Sequence, residues 1–323
     1  MQHRHLGQSG LSTAPVVLGG NVFGWSVDRE KSFRLLDQFL DAGFNAIDTA
    51  DVYSRWVDGN EGGESESLIG EWLAQDPARR DKVTLITKVG SDMGGQDAAG
   101  KPRKGLSQRW IEQAVEDSLR RLRTDRIDLY FSHWPDDETE EAETLAAYGR
   151  LMQAGKIRAI GASNYDAERL RRALDLARGG LPRYEVIQPE YNLYDRGDYE
   201  GPLQALAQEE GLGVITYFSL ASGFLTGKYR KPEDGEGRAR SGVADRYLNA
   251  RGEAILAALD AVAAEHDVTQ AEVALAWLMA KPGVTAPIAS ATSESQMETL
   301  VKSAGLELTE AEMQRLDAAG APT

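Results

Sequence analysis

Asp48, Tyr53, Lys88 and His133 are the residues of this sequence whose types and spacing best suit chemistry. Each lies at or just beyond the C-terminal end of a short apolar run. Asp48 ends Phe44 to Asp48, with Tyr53 following in D-T-A-D-V-Y; Lys88 ends Val83 to Lys88; His133 follows Ile127 to Ser132. A carboxylate, a phenol, an ammonium and an imidazole are costly to bury apart, on the order of several kcal/mol for each one left without a partner. As a set they satisfy one another. Asp48 keeps Lys88 charged, and that charge is expected to draw the Tyr53 phenol down from about 10. Such a phenol suits protonation of a carbonyl oxygen that becomes negative as hydride reaches its carbon, with His133 orienting the substrate.

Singly, each has a plainer reading: a helix-capping Asp, a solvated Lys, a packing His. Lys88 alone also fits a Schiff-base aldolase, but that chemistry needs a depressed lysine pKa, and a neighbouring carboxylate works the other way.

These residues meet only if their strand ends share a mouth. Eight apolar runs recur: Val16 to Gly19, Phe44 to Asp48, Val83 to Lys88, Ile127 to Ser132, Ile157 to Gly161, Glu185 to Pro189, Gly213 to Tyr217 and Val284 to Ile288. Amphipathic stretches separate them. Asp28, Ser107 and Asp166 are placed as helix N-caps, and Gly43, Gly155 and Gly211 as left-handed stops before strands. Eight βα units in series predict a (β/α)8 TIM barrel, with all strand C-termini at one face. No Pro/Ser-rich linker divides the chain, so residues 1–323 are expected to form a single domain. A long Gly-rich charged loop, Leu220 to Gly252, follows strand seven, and two extra helices are expected near Glu253 to His266 and Thr309 to Ala319.

Composition narrows the partners. With 36 Lys plus Arg against 51 Asp plus Glu, the formal net charge of -15 disfavours nucleic acid and anionic membrane surfaces. There is no cysteine for disulfides, thiolate metal sites or a thiol nucleophile, and no metal site is expected. The first residues lack an apolar signal-peptide core, and no apolar run is long enough to span a bilayer, so a cytoplasmic location is expected. Nothing in the sequence sets an oligomeric state.

D-T-A-x-x-Y, the strand-end Lys of I-T-K and the His of F-S-H-W-P resemble the aldo-keto reductase superfamily, and the resemblance runs along nearly the whole chain. Further similar stretches are G-A-S-N (Gly161 to Asn164), Q-P-E-Y-N (Gln188 to Asn192), Y-F-S-L (Tyr217 to Leu220) with L-T-G-K-Y, and S-A-T-S-E-S-Q-M (Ser290 to Met297). The resemblance implies reversible reduction of a small-molecule aldehyde or ketone, with NADPH preferred and NADH as the second choice. Tyr53 would be the acid, Lys88 and Asp48 its tuning pair, and His133 the orienting group. Ser163, Asn164 and Gln188 would meet the nicotinamide amide, and Tyr217 would stack on its ring. Gly20, Asn21 and Asp48 would line the same site. Phosphates would fall to Phe218, Ser219, Leu220, Ser222, Gly223, Lys228 and Arg238, and to Ser290, Thr292 and Gln296. The absence of a Rossmann glycine motif agrees with this.

Three positions depart from the family pattern. Phe218 separates Tyr217 from Ser219, Thr292 stands where many members carry a cation that reads the 2′-phosphate, and Leu300 stands where an Asn often contacts adenine. Trp25, Trp56 and Trp134, with Tyr53 and His133, are expected to line a pocket for a flat or ring-containing substrate. No long tail follows the last helix, so that pocket is expected to be open. The rival role is a redox-sensing regulatory subunit, because the family includes potassium-channel β-subunits.

Overall fold

In the computed structural model, which describes residues 2–231, 234 and 245–321, each barrel strand pairs in parallel with the next in sequence and the last closes on the first. A two-stranded antiparallel hairpin, β1 (Arg4–His5) and β2 (Ser12–Thr13), precedes the barrel. The barrel comprises β3 (Val17–Gly19), β4 (Ala46–Asp48), β5 (Thr84–Val89), β6 (Ile127–Ser132), β7 (Ile157–Ser163), β8 (Tyr184–Gln188), β9 (Gly213–Thr216) and β10 (Ala286–Ala289). These are the eight expected runs, with ends shifted by a residue or two where a flanking residue joins or leaves the ladder.

Period-two alternation sorts every strand into an inner and an outer row. The inner row packs Val17, Ala46, Ile86, Leu129, Phe131, Ala159, Val186, Ile215, Ala286 and Ile288 into one cluster. The outer row, including Leu18, Ile47, Leu85, Val89, Tyr130, Ile187 and Val214, packs under the helices. Size complementarity fills the interior: a Cβ at Gly161 would lie 2.4 Å from the Phe131 ring. Advancing the inner row by one more period brings Asp48 above Ala46, Lys88 above Ile86, His133 above Phe131, Ser163 above Gly161, Gln188 above Val186, Tyr217 above Ile215 and Ser290 above Ile288. The mouth is thus the next layer of the same core, with polar residues in place of apolar ones.

The hairpin closes the opposite end. Leu6 (0% exposed) and Leu11 (5%) join the interior cluster from below. Gly7 has φ +59°, and a Cβ there would sit 2.2 Å from the Glu185 carbonyl oxygen, so the turn has no room for a side chain. Strands of two residues are too brief for alternation to show in the sequence.

The helices are α1 (Arg29–Asp41), α2 (Glu64–Gln75), α3 (Ala78–Lys82), α4 (Gln108–Leu122), α5 (Glu141–Gln153), α6 (Ala167–Arg178), α7 (Pro202–Glu209), α8 (Ala250–His266), α9 (Gln270–Ala280), α10 (Glu294–Ser303) and α11 (Glu310–Ala319). The expected caps form: Asp28 accepts from Lys31 N, Ser107 from Trp110 N and Asp166 from Arg169 N. Gly43, Gly155 and Gly211 all have positive φ. The two helices beyond the minimal repeat, α8 and α11, pack on each other. His266 lies 2.7 Å from Glu312, and Arg251 donates to the Gly320 carbonyl at 2.6 Å. Among the described residues, no helix is long and apolar enough to cross a membrane.

Helix α2 crosses the end of α4 so closely that a Cβ at Gly70 would lie 2.1 Å from the Arg121 carbonyl oxygen. In an open helix Gly→Ala adds about 1 kcal/mol of stability. Here the clash is with backbone, so Gly70→Ala should lower Tm in a thermal melt; a higher Tm would contradict the packing described.

Candidate active site

The Lys88 side chain, fully buried, ends in an ammonium whose protons are all engaged. Nζ donates to Asp48 Oδ2 at 2.6 Å, to the Thr49 carbonyl at 2.9 Å and to the Tyr53 hydroxyl at 3.0 Å. Asp48 is buried too, and its second oxygen accepts from Gln188 Nε2 at 3.0 Å across the barrel. Burial acts to lower the Lys88 pKa, but Asp48 and then Tyr53 outweigh it and hold the ammonium above its ordinary value. The expected partnership of Asp48 and Lys88 therefore forms, and it works against a nucleophilic lysine.

The expectation for Tyr53 is corrected. Its pKa lies above the ordinary value, because burial raises it and Asp48 adds to that, while Lys88 pulls it down by less. Burial is the largest influence, because the phenol stands in a place too poor in water to ionise readily. Since Lys88 occupies the phenol oxygen as a donor, Tyr53 keeps its own proton to give. The loop beyond it is pinned: Ser54 Oγ donates to the Phe23 carbonyl at 2.7 Å.

His133 stands beside Tyr53, ring centroids 6.0 Å apart. Burial, reinforced by Lys88, pushes its pKa well below the usual 6.5, so it is a neutral imidazole, with Nδ1 3.0 Å from Ser91 Oγ. Trp134 stacks on it at 6.1 Å. Across the mouth, Trp56 meets Tyr53 at 6.0 Å and Trp25 edge-on at 5.6 Å. Trp56 and Trp134 are each 50% exposed, and Phe218 40%; large aromatic faces left open beside polar groups are a binding-surface feature.

Next to this group, Asn164 Nδ2 donates to the His133 carbonyl at 2.9 Å and to Ser163 Oγ at 3.1 Å, while its oxygen accepts from the Tyr217 hydroxyl at 2.7 Å. Ser163 Oγ donates to the Gln188 carbonyl at 2.9 Å. The spare capacity of Ser163 and Asn164 is therefore as acceptors, which fits the N–H groups of a carboxamide. Tyr217, tethered by its hydroxyl, offers a ring face. In the turn after β9, Phe218, Ala221, Ser222 and Gly223 all have positive φ, a backbone form that makes N–H cradles for anions. Lys228 folds over this turn, so that a Cβ on Gly223 would meet its Nζ at 2.8 Å. Ser219 is buried and bonds Thr216, and Leu220 packs into the core edge.

Gly20 sits too close to the Asp48 carbonyl to carry a side chain freely, a Cβ there lying at 3.1 Å. Asn21 accepts from Ser290 Oγ at 2.6 Å, joining the loops of the first and last strands. Thr292 N and Oγ1 both donate to Gln296 at the start of α10. Leu300 is buried in the outer core, so it makes no polar contact there. Arg238 lies outside the described residues.

Sequence reasoning missed Ser91, which no spacing rule links to His133, and it missed Asp51. Asp51 is buried with neither carboxylate oxygen hydrogen-bonded. Burial raises its pKa well above the usual range, and nearby Glu66 adds to this, while Arg121, paired to Glu66 at 2.6 Å, offsets part. Asp48 ends β4, whereas Asp51 lies in the turn beyond the strand, close to Glu66 and Arg121.

Because His133 is already neutral, kcat/KM for any reaction it assists should show no inflection near pH 6.5 between about pH 5.5 and 8; an inflection there that His133→Gln removes would refute the neutral assignment. Asp51, with its folded pKa raised, contributes stability fully below the ordinary carboxylate pKa and loses it as pH rises toward the folded value. Asp51→Asn should accordingly gain Tm relative to the parent as pH increases above about 4, measured by pH-dependent melts; a gain independent of pH would count against it.

Comparison with known proteins agrees with this geometry. The sequence pattern of the Aldo/keto reductase family matches residues 15–321. An uncharacterized oxidoreductase of Bacillus subtilis (strain 168), YrpG, is 34% identical over 95% of this chain and 92% of its own. L-glyceraldehyde 3-phosphate reductase of Escherichia coli (strain K12) is 32% identical over 94% of this chain and 87% of its own. A probable voltage-gated potassium channel subunit beta of Oryza sativa subsp. japonica is 34% identical over 92% and 89%. A closed parallel barrel, a polar layer at its mouth and this family match along nearly the full length lead to one conclusion: the chain belongs to the aldo/keto reductase family of NAD(P)H-dependent oxidoreductases.

Proposed function

We propose that this chain is an NADPH-dependent reductase of small aldehydes or ketones in which Tyr53 donates the proton. The observation that carries the reading is the Lys88 ammonium, fixed by Asp48 and Thr49 so that its remaining N–H points at the Tyr53 oxygen. As Tyr53 gives up its proton, the negative charge on its oxygen falls on a donor already in place, so no reorganisation is needed. The raised resting pKa keeps that proton on Tyr53 until a carbonyl oxygen becomes basic enough to take it. Neutral His133, held through Nδ1 by Ser91, can donate from Nε2 to the same oxygen.

The nicotinamide cofactor supplies the hydride when bound. Tyr217, Ser163, Asn164 and Gln188, with Gly20, Asn21 and Asp48 beside them, would hold its ring and amide. The turn from Phe218 to Gly223 with Lys228, and Ser290, Thr292 and Gln296, would hold its phosphates. Arg238 belongs to this set by its place in the sequence. Lys228 is the described cation at that turn and supports NADPH over NADH; Thr292, standing where a cation is common, leaves that preference to the loop. Trp25, Trp56 and Trp134 would frame the substrate. The whole chain acts as one domain.

The potassium channel β relative is as similar as the oxidoreductase one, which keeps a cofactor-sensing role as the second reading. Sustained turnover of simple aldehydes with NADPH favours the reductase; a single slow turnover favours the sensor. Tyr53→Phe should lower kcat at least 100-fold while NADPH binding, followed by tryptophan quenching, persists. Lys88→Met should behave alike. Wild-type rates in either variant would refute the roles given to them.

A further inference from the structure

The mouth carries a cation that the proposed reaction does not use. Arg55, two residues beyond Tyr53, is exposed and has no hydrogen bond or ion pair from its side chain to any described residue. That sets it apart, because most arginines here are engaged: Arg29 with Glu71, Arg80 with Asp128, Arg121 with Glu66, Arg196 with Glu200, Arg246 with Glu190. Acidic residues are near in sequence but spent or out of reach. The Glu64 carboxylate accepts from the Glu61 and Gly62 amides, Asp92 from the Gly94 amide, and neither Asp58 nor Glu61 forms an ion pair with Arg55.

The guanidinium is also placed. It lies against Gly94, where a Cβ would meet Nη2 at 2.2 Å, so glycine leaves the space it fills. Gly94 belongs to the turn whose Ser91 touches His133, and three residues of chain span at most roughly 11 Å. On the other side, Trp56, the neighbour of Arg55, meets the Tyr53 ring at 6.0 Å. Arg55 therefore bridges the loops after β4 and β5 at the rim of the Tyr53–His133 site. The second of these loops continues through Gly100-Lys101-Pro102-Arg103-Lys104-Gly105, which holds three cations and no acid. In the strand order, β5 stands across the barrel from β9, the strand whose loop would take the cofactor phosphates. A cofactor lying there leaves Arg55 free for a different anion.

We infer that Arg55 is a specificity-determining residue that binds an anionic group, a phosphate monoester or a carboxylate, on the carbonyl substrate, with the Lys101–Lys104 segment adding long-range attraction. The inference rests on the reductase reading. A guanidinium fork matches both anions in a bidentate contact, and an anionic substrate would otherwise be repelled by a chain of net charge -15. The aromatic rim would hold the carbon body while Arg55 holds its charged end.

The test compares kcat/KM within matched pairs: glyceraldehyde 3-phosphate against glyceraldehyde, and 4-carboxybenzaldehyde against 4-nitrobenzaldehyde. The wild type should favour the anionic member of at least one pair, and that pair names the anion. Arg55→Gln should lower the ratio for that pair tenfold or more, mainly through KM, and Arg55→Lys should recover part of it. No anionic preference in either pair, or an unchanged ratio in Arg55→Gln, overturns the inference. If no aldehyde is reduced, the reductase reading fails, and the anion site is then read by tryptophan fluorescence with glycerol 3-phosphate and benzoate against glycerol. Saturable quenching by either anion that is lost in Arg55→Gln supports the site, and its absence from the wild type overturns it.

Discussion

An ammonium with no exposed surface is the constraint on which the mouth of this barrel depends. Lys88 has left water completely, and a buried unpaired charge costs several kcal/mol by rough estimate. Its three acceptors come from the end of β4 and the loop after it, and Asp48 is steadied in turn from β8. Losing Asp48 would leave the charge uncompensated and losing a neutral partner would leave a buried polar group unsatisfied, so three strand ends and one loop are fixed relative to each other. Burial here works as a demand for geometry rather than as a source of stability.

The same demand distributes protonation states around the site. Lys88 stays charged, Tyr53 keeps its proton, and His133 is pushed neutral by burial and by the ammonium beside it. These are three different consequences of removing water near one charge. The Tyr53 expectation failed because it weighed the charges of Asp48 and Lys88 and not the burial of the phenol. Burial is the largest influence on the phenol and Asp48 offsets part of the lysine's pull, and the cost of desolvating a phenolate is not visible in residue types.

What was legible in the sequence followed periodicity. The barrel strands were found because short apolar runs recur with amphipathic stretches between them, and the mouth residues because they sit at or just beyond the ends of those runs. Asp28, Ser107 and Asp166 cap helices for reasons local to a few residues. The hairpin of Arg4–His5 and Ser12–Thr13 was not legible, since Leu6 and Leu11 are buried by a distant barrel rather than by any pattern of their own. Ser91, Asp51 and Arg55 were missed for a related reason: each lies in a loop, where the path of the chain sets the neighbours. Asn164 was found, but its commitment to His133, Ser163 and Tyr217 could not be, because hydrogen bonds between strand ends depend on register.

The contact between Asn21 and Ser290 joins residues at the two ends of the barrel. During synthesis, the wall between the first and last strands can close only after residue 290 has cleared the ribosome. Until then β3 has one open edge, and the proposed cofactor cleft lacks a side. On the proposed placement, a nascent chain therefore has no finished nucleotide site, however complete its first seven units are. Cofactor availability in the cell can then act on the yield of finished molecules, by stabilising the closed ring through mass action, but not on the early course of folding.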